Sequence, residues 1–286
     1  MRILSPAKIN LHLRVGPPMD GFHPLLSWMC TVGLYDTMEV TATKEPGIRL
    51  QCDRPDVPVD ETNLIVRAGQ SLSRAHGAKV SLQKKIPIGG GLGGGSSNAA
   101  FALMGFNQLW NLNLPIDQLA AIGSQLGSDV PFFLHGPSSI CAGRGERVTP
   151  IARPAAQYAV LFFPEFSMST PAVYGRFDEM KLDSDVVIQH QPDWQAWSKL
   201  RATDLLKALI NDLEAPAFSL CPQLGDLRLR LEQQLARTVR MSGSGSTLFT
   251  LTDQLGEAER IVTGSPIRAA ICELAPARND SASPSR

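Results

Sequence analysis

Residues 87–98 read Pro-Ile-Gly-Gly-Gly-Leu-Gly-Gly-Gly-Ser-Ser-Asn. Six of the seven residues 89–95 are glycine. Glycine loses more backbone freedom on folding than any other residue, so ordering such a loop is costly. A packed core does not need it. A backbone that must approach a ligand closely, with several N–H groups aimed at it, does. The apolar stretch from Asn98 to Trp110 reads as a helix, and the first N–H groups of a helix carry about half a positive charge. Loop and helix start together make an anion site, most simply for phosphates. Ser96 and Ser97 add hydroxyls able to meet a phosphate or a metal-bound water. A flexible linker is the bland alternative. Against it stand the strand that ends at Pro87 and the apolar helix that follows.

Three familiar phosphate loops fail on context. Gly89-Gly-Gly-Leu-Gly-Gly94 satisfies GxGxxG. A dinucleotide fold also wants an acidic residue at the end of a strand about 20 positions on. That region here is Leu112-Asn-Leu-Pro-Ile-Asp117, which reads as a loop entering a helix. A Walker A loop needs Gly-Lys-Ser/Thr, and no lysine follows these glycines. The protein-kinase loop comes with His-Arg-Asp and Asp-Phe-Gly, and neither tripeptide occurs.

Outward from the loop, residues 2–15 alternate: Ile9, Leu11, Leu13 and Val15 on one side, Lys8, Asn10, His12 and Arg14 on the other. That predicts a half-buried strand with a polar row on its open face. Residues 37–43, 47–53 and 78–86 read as further strands. A helix capped by Thr62 or Asp60 runs to about His76, and another covers 115–126. After the Pro/Ala-rich stretch 150–156, Tyr158–Phe163 reads as a fresh strand, so a domain boundary falls there. Leu224, Leu227, Leu231 and Leu235 mark an amphipathic helix over 223–236. Strands near 238–241 and 247–251 flank Ser242-Gly-Ser-Gly-Ser246, either a hairpin loop or a second close-approach loop near an anion. The strands and helices do not alternate regularly, which favours α+β.

The chain has 286 residues, 43% of them hydrophobic, enough for a sizeable core. Lys+Arg and Asp+Glu are both 27, so phosphate-neutralising nucleic-acid binding is disfavoured. Cys30, Cys52, Cys141, Cys221 and Cys272 are scattered and odd in number. That speaks against a disulfide framework or a zinc site and for small buried hydrophobes in a reducing compartment. No run reaches the roughly 18 apolar residues of a membrane span, and no signal peptide is evident. The expectation is a cytoplasmic protein with a small-molecule substrate, no nucleic acid and no membrane. Oligomeric state stays open.

Two ionisable residues have unusual settings. Lys8 lies within an apolar strand beside Asn10. Asp129 lies in Gly127-Ser-Asp-Val-Pro-Phe-Phe-Leu134, at the mouth of an apolar run. A buried aspartate is expensive unless paired, and a lysine beside it would leave it able to accept a hydrogen bond. Asp129 could equally cap a helix, and Lys8 alone could be a solvated strand lysine. Asp20-Gly-Phe-His-Pro24 sets an aromatic beside a hydrogen-bonding ring, which suits a flat ligand or a plain surface turn.

Taken together, these residues resemble the GHMP small-molecule kinases. Pro6-Ala-Lys-Ile-Asn-Leu11, the loop 87–98 and Met241-Ser-Gly-Ser-Gly-Ser246 match in the expected order. Gly127-Ser-Asp-Val-Pro131 and Asn211-Asp-Leu-Glu214 match within the branch that acts on a cytidyl-linked methylerythritol. The resemblance runs from residue 5 to about 251. It implies a two-domain α+β GHMP kinase architecture: an ATP-binding, ribosomal-protein-S5-like domain over 1–155, a ferredoxin-like GHMP domain over 156–276, and a flexible tail over 277–286. It implies transfer of the ATP γ-phosphoryl group, with Mg²⁺, to the substrate's 2-hydroxyl in non-mevalonate isoprenoid precursor synthesis. Asp129 is then the base and Lys8 its partner. Asn10 binds substrate, and Phe22, His23 and Tyr174 hold the cytosine, two aromatics stacking its faces and the histidine bonding its edge. Asn63 and Lys84 line the adenine pocket. Pro87, Gly89, Gly90, Gly91, Leu92, Gly93, Gly94, Gly95, Ser96 and Ser97 hold the nucleotide, while the metal's protein ligands stay unassigned. The family usually has Gly-Tyr-His where this chain has Gly21-Phe22-His23, and often Phe where it has Tyr174. Stacking faces survive both changes, while the hydroxyl moves. Rival readings are a sister kinase for mevalonate or homoserine, a nucleotide sensor without transfer, and an S5-like RNA binder.

Overall fold

The opening run builds the first sheet. In the computed structural model, which describes residues 1–182, 186–189 and 191–277, β1 (Arg2–Val15) pairs antiparallel with β2 (Leu25–Thr43) along its length. β3 (Gly47–Cys52) lies parallel to β4 (Gly77–Gln83), which pairs with the second half of β2. The first half of β2 pairs with β5 (Ser138–Gly143), and β5 with β6 (Arg147–Pro150). On one face lie α1 (Leu64–Leu72), α2 (Gly94–Leu109), α3 (Ile116–Leu126) and α4 (Val130–His135). Met38, Val40, Val80, Leu82, Leu103 and Phe106 fill the core between helices and sheet.

The second sheet is antiparallel, with β7 (Tyr158–Phe162), β8 (Arg240–Met241), β9 (Leu248–Thr252) and β10 (Ala269–Glu273) in the order β10-β7-β9-β8. Around it are α5 (Thr170–Glu179), α6 (Val186–Gln189), α7 (Trp194–Ser198), α8 (Ala202–Ala208), α9 (Glu214–Leu220), α10 (Pro222–Leu235) and α11 (Leu255–Thr263). Leu224, Leu227 and Leu231 of α10 bury together with Val160, Phe162 and Leu248, as their spacing predicts. A further core joins the two sheets: Ile9, Trp28 and Cys30 pack with Leu161, Leu205, Phe249 and Cys272. The chain is α+β, as expected.

Several elements differ from the sequence expectation, each for a local reason. β2 starts at Leu25 rather than near 37. Its residues 26–32 are buried without a break, so no alternation marks them. α1 is capped by Asn63, whose side chain accepts from the Ile65 N–H at 2.9 Å. Asp60 is occupied with Thr62 instead. α2 begins at Gly94, not Asn98. β4 stops at Gln83 because the next three N–H groups go to carboxylates: Lys84 to Asp53, Lys85 and Ile86 to Asp36. Of the expected tail, Ala277 is exposed and 278–286 lie outside the described residues.

β1 carries the main correction. Its polar row is not open to solvent: Lys8, Asn10 and His12 are all at most 4% exposed. A register shift between Asn10 and His12 also breaks the alternation, as a bulge does. Asn10 pairs with Met29, whereas His12 pairs with Trp28 and so shares the face of Ile9. His12 ends between the edges of Trp194 and Trp197, and its Nδ1 accepts the Ile210 N–H at 3.2 Å. All five cysteines are free, and Cys30, Cys141 and Cys272 are buried. Among the described residues no helix is long and apolar enough to cross a membrane.

Burial, with Arg14 and Arg240 adding repulsion, lowers the His12 pKa from 6.5 to about 4. The unfolded chain therefore binds a proton that the folded one refuses. His12 contributes stability above pH 6.5, and this is lost as pH falls towards 4. At about 1.4 kcal/mol per pH unit the loss is worth roughly 3 kcal/mol. Urea midpoints measured from pH 7 to 4 should fall more steeply for the wild type than for His12→Gln. Parallel profiles would show that His12 is not the group responsible.

Candidate active site

The glycine loop lines a cleft of about 890 Å³. Gly89, Gly91 and Gly93 have φ of 69°, 74° and 67°, while Gly90 and Leu92 between them are not left-handed. Such alternation turns successive N–H groups into one concavity, a nest for an anion. Gly93 is the N-cap of α2 and supplies no side-chain cap, so the helix start is left to a ligand. A Cβ on Gly91 would stand 2.2 Å from the Ser242 carbonyl oxygen. Only glycine permits that approach. The Ser242 hydroxyl donates to the Gly91 carbonyl at 3.0 Å, and the Thr247 N–H donates to the Gly90 carbonyl at 3.3 Å.

The 242–247 loop is itself clamped. Asn211 Nδ2 donates to the carbonyls of Met241 and Gly243, each at 2.8 Å, and Glu214 accepts the Met241 N–H at 2.8 Å. Asp212 takes the Val15 N–H and pairs with Arg14 at 3.0 Å. The 211–214 block thus ties the second lobe's loop to β1 and through it to the nest.

Lys8 and Asp129 meet at the foot of this loop, with Nζ to Oδ2 at 3.4 Å. The Lys8 side chain is 5% exposed and that of Asp129 is 25%. Asp129 occupies the N-cap position of α4, yet its side chain makes no cap, so the capping alternative is met in position only. Lys8 also donates to Asn10 Oδ1 at 2.5 Å, and Asn10 Nδ2 donates to Ser27 at 2.9 Å. A Cβ on Gly93 would lie 3.0 Å from Lys8 Cγ, which packs the lysine directly under the nest.

Lys84 reaches the cleft but is held from behind. Its ammonium pairs with Asp36, which is fully buried, and donates to Asn98 at 3.1 Å. Asn98 also donates to Asp36 at 3.0 Å and to Ser5 at 2.8 Å. With the Lys85 and Ile86 N–H groups, Asp36 has four donors, which satisfies a buried carboxylate. Asn63, the α1 cap, spends its amide on the Pro58 carbonyl at 2.6 Å. Val57, Pro58, Leu64 and Ile88 give this end of the cleft an apolar wall.

At the other end, His23 and Tyr174 stand with ring centroids 5.4 Å apart and planes tilted 36°. Both His23 nitrogens face protein oxygens: Nδ1 the Gly16 carbonyl at 2.9 Å, Nε2 Asp178 at 3.0 Å. A ligand reaching for that ring must displace Asp178. Burial, and then the charge of Asp129, pushes the Tyr174 phenol to about 12, so it keeps its proton at neutral pH. The Arg144 guanidinium lies over Phe22, 4.0 Å from its ring centre.

The cleft therefore gathers Lys8, Asn10, Phe22, His23, Asn63, Lys84, Pro87, residues 89–96, Asp129 and Tyr174. Ser97 does not line it. With α2 starting at Gly94, Ser97 turns inward, fully buried, and its hydroxyl has no partner among the described residues. Sequence reading missed Asp36, Asn98, Arg144 and Asp178. Asp36 alone carried a signal, an acid within an apolar strand, the same one that drew attention to Lys8.

Comparison with known proteins places this site in a context. Residues 63–137 match the family model for the GHMP kinases N terminal domain, and residues 193–264 that for the GHMP kinases C terminal domain. The chain is 36% identical over 274 residues to 4-diphosphocytidyl-2-C-methyl-D-erythritol kinase of Bacillus pumilus (strain SAFR-032), covering 92% of this chain and 93% of that one. It is 40% identical over 271 residues to the kinase of the same name from Nocardioides sp. (strain ATCC BAA-499 / JS614), covering 90% of each. A crystal structure of 4-(cytidine 5'-diphospho)-2C-methyl-D-erythritol kinase superposes with a TM-score of 0.80 at 33% identity, covering 96% of this chain and all of that one. A mevalonate kinase structure shares the fold at 15% identity, with a TM-score of 0.69.

Two alanine substitutions separate strain from collision in the nest. Gly89→Ala meets nothing within 4 Å and should cost only left-handed strain, about 1 kcal/mol. Gly91→Ala collides with Ser242 as well. It should raise the dissociation constant of an ATP analogue at least ~10-fold, while Gly89→Ala changes it ~5-fold or less. Titration calorimetry checks both, and equal losses would remove the inter-lobe contact from the account.

Proposed function

The chain belongs to the GHMP kinase family and is a small-molecule kinase; from that premise we propose that it transfers the γ-phosphoryl group of ATP to the 2-hydroxyl of 4-diphosphocytidyl-2-C-methyl-D-erythritol, in non-mevalonate isoprenoid precursor synthesis. One observation carries the proposal: the Lys8–Asp129 pair sits under the left-handed nest, in the same cleft as the aromatic end. The names and coverage of the relatives support the choice of substrate.

The nest and the α2 start hold the ATP phosphates, and the apolar wall beside Asn63 receives the adenine. Phe22, His23 and Tyr174 hold the cytosine. The acceptor hydroxyl lies against Asp129, which takes its proton as the oxygen attacks the γ-phosphorus. Lys8, held by Asn10, offsets the negative charge that gathers on the attacking oxygen. Phosphoryl transfer asks the protein chiefly for alignment and electrostatic support, and alignment of two bound reactants accounts for up to ~7–11 kcal/mol of barrier lowering. Among the described residues no cluster of three His, Cys, Asp or Glu could hold a metal ion. The Ser96 hydroxyl, which lines the cleft beside the nest, would help to hold a Mg²⁺, and that ion would supply charge neutralisation to the nucleotide's phosphates.

Asp129→Asn should cut kcat by about 10²–10⁴ while leaving ATP-analogue affinity within ~3-fold. An assay of ATP consumption with the cytidyl substrate, mevalonate and homoserine in parallel tests the substrate. Turnover of mevalonate or homoserine alone would move the chain to a sister activity, and near-normal turnover by Asp129→Asn would remove it as the base.

A further inference from the structure

We propose that Arg144 binds the diphosphate of the acceptor substrate. The inference rests on the substrate reading above and adds the group that recognises the substrate's anionic middle. A cytidyl diphosphate ester has a base at one end, an alcohol at the other and two phosphates between. With the base at Phe22, His23 and Tyr174 and the alcohol at Asp129, those phosphates must cross the wall between the two.

Arg144 stands on that wall. It sits at the tip of the β5–β6 turn, its guanidinium 4.0 Å from the Phe22 ring centre. A Cβ on the next residue, Gly145, would lie 3.2 Å from the carbonyl oxygen of Ser128, the neighbour of Asp129. The turn therefore touches both ends of the path. Gly143 and Gly145 have φ of 74° and 116°, and the Arg144 N–H donates to Glu146 at 2.6 Å, which fixes the backbone under the side chain.

The charges of the cleft single it out. Lys8 pairs with Asp129, Lys84 with Asp36 and His23 with Asp178. Arg144 lines the same cleft and, among the described residues, its guanidinium pairs with no carboxylate. A planar guanidinium offers a fork of donors that matches phosphate oxygens in pairs. Stacking on Phe22 uses its face and leaves its N–H edge for the ligand.

The test is titration calorimetry of the whole protein with CDP and with cytidine, saturating ADP occupying the nucleotide site. The wild type should bind CDP roughly 10- to 100-fold more tightly than cytidine. Arg144→Met should bind cytidine as the wild type does and lose that preference, and Arg144→Lys should retain part of it. A methionine variant that keeps the preference overturns the proposal, and slow turnover in that variant would place Arg144 at the transferred phosphate instead. Equal weakening of both ligands overturns it too, leaving Arg144 as a prop for Phe22. Absence of cytidine binding by the wild type overturns the substrate reading and this proposal with it, and it shows before any variant is made.

Discussion

The contact between two backbones, Gly90–Gly91 and Ser242–Thr247, is the constraint on which the site depends. Ordering a glycine-rich segment costs more conformational entropy than ordering any other, on the scale of 1–2 kcal/mol per residue. The nest itself makes few side-chain contacts that could repay this. Its order comes from outside: the Ser242 hydroxyl and Thr247 N–H on one flank, Asp36 gathering the approach strand on the other, and Lys8 packed beneath Gly93. The phosphate concavity is thus a property of two lobes.

Next to that concavity, the buried charges come in compensated pairs. Lys8 and Lys84 are nearly buried, and each has a carboxylate beside it. Their roles diverge with exposure. Asp36 is sealed and has four donors, so it can only hold structure. Asp129 keeps a quarter of its side chain open and makes no helix cap, so it can still meet a substrate. The same residue type supports the loop in one place and faces the chemistry in the other, and water access separates them.

The loop, β1, α3 and α10 were legible because their signals are local: glycine density, alternation, a proline before a helix, leucines at helical spacing. The first half of β2 was not, since Leu26–Val32 is buried throughout and shows no period. The face of His12 was misread because a bulge is a pairing event, and nothing in residues 8–14 announces it. Lys8 and Asp129 stand out as oddities and Asn10 joins them only through the resemblance, while the distances between them are tertiary. Arg144 and Asp178 stayed hidden for the same reason: their partners lie up to 155 positions away in the chain, as Asp178 lies from His23. Ser97 looked like its neighbour Ser96 until the start of α2 set which way each one turns.

The Asn211–Glu214 clamp has an evolutionary corollary. Because it holds in place the loop whose Ser242 and Thr247 bond the glycines, the nucleotide site draws on both halves of the chain. Shuffling the halves between distant homologues would leave mismatched carbonyls facing the glycines. The two halves are bound to travel together, and a drift in one must be answered in the other.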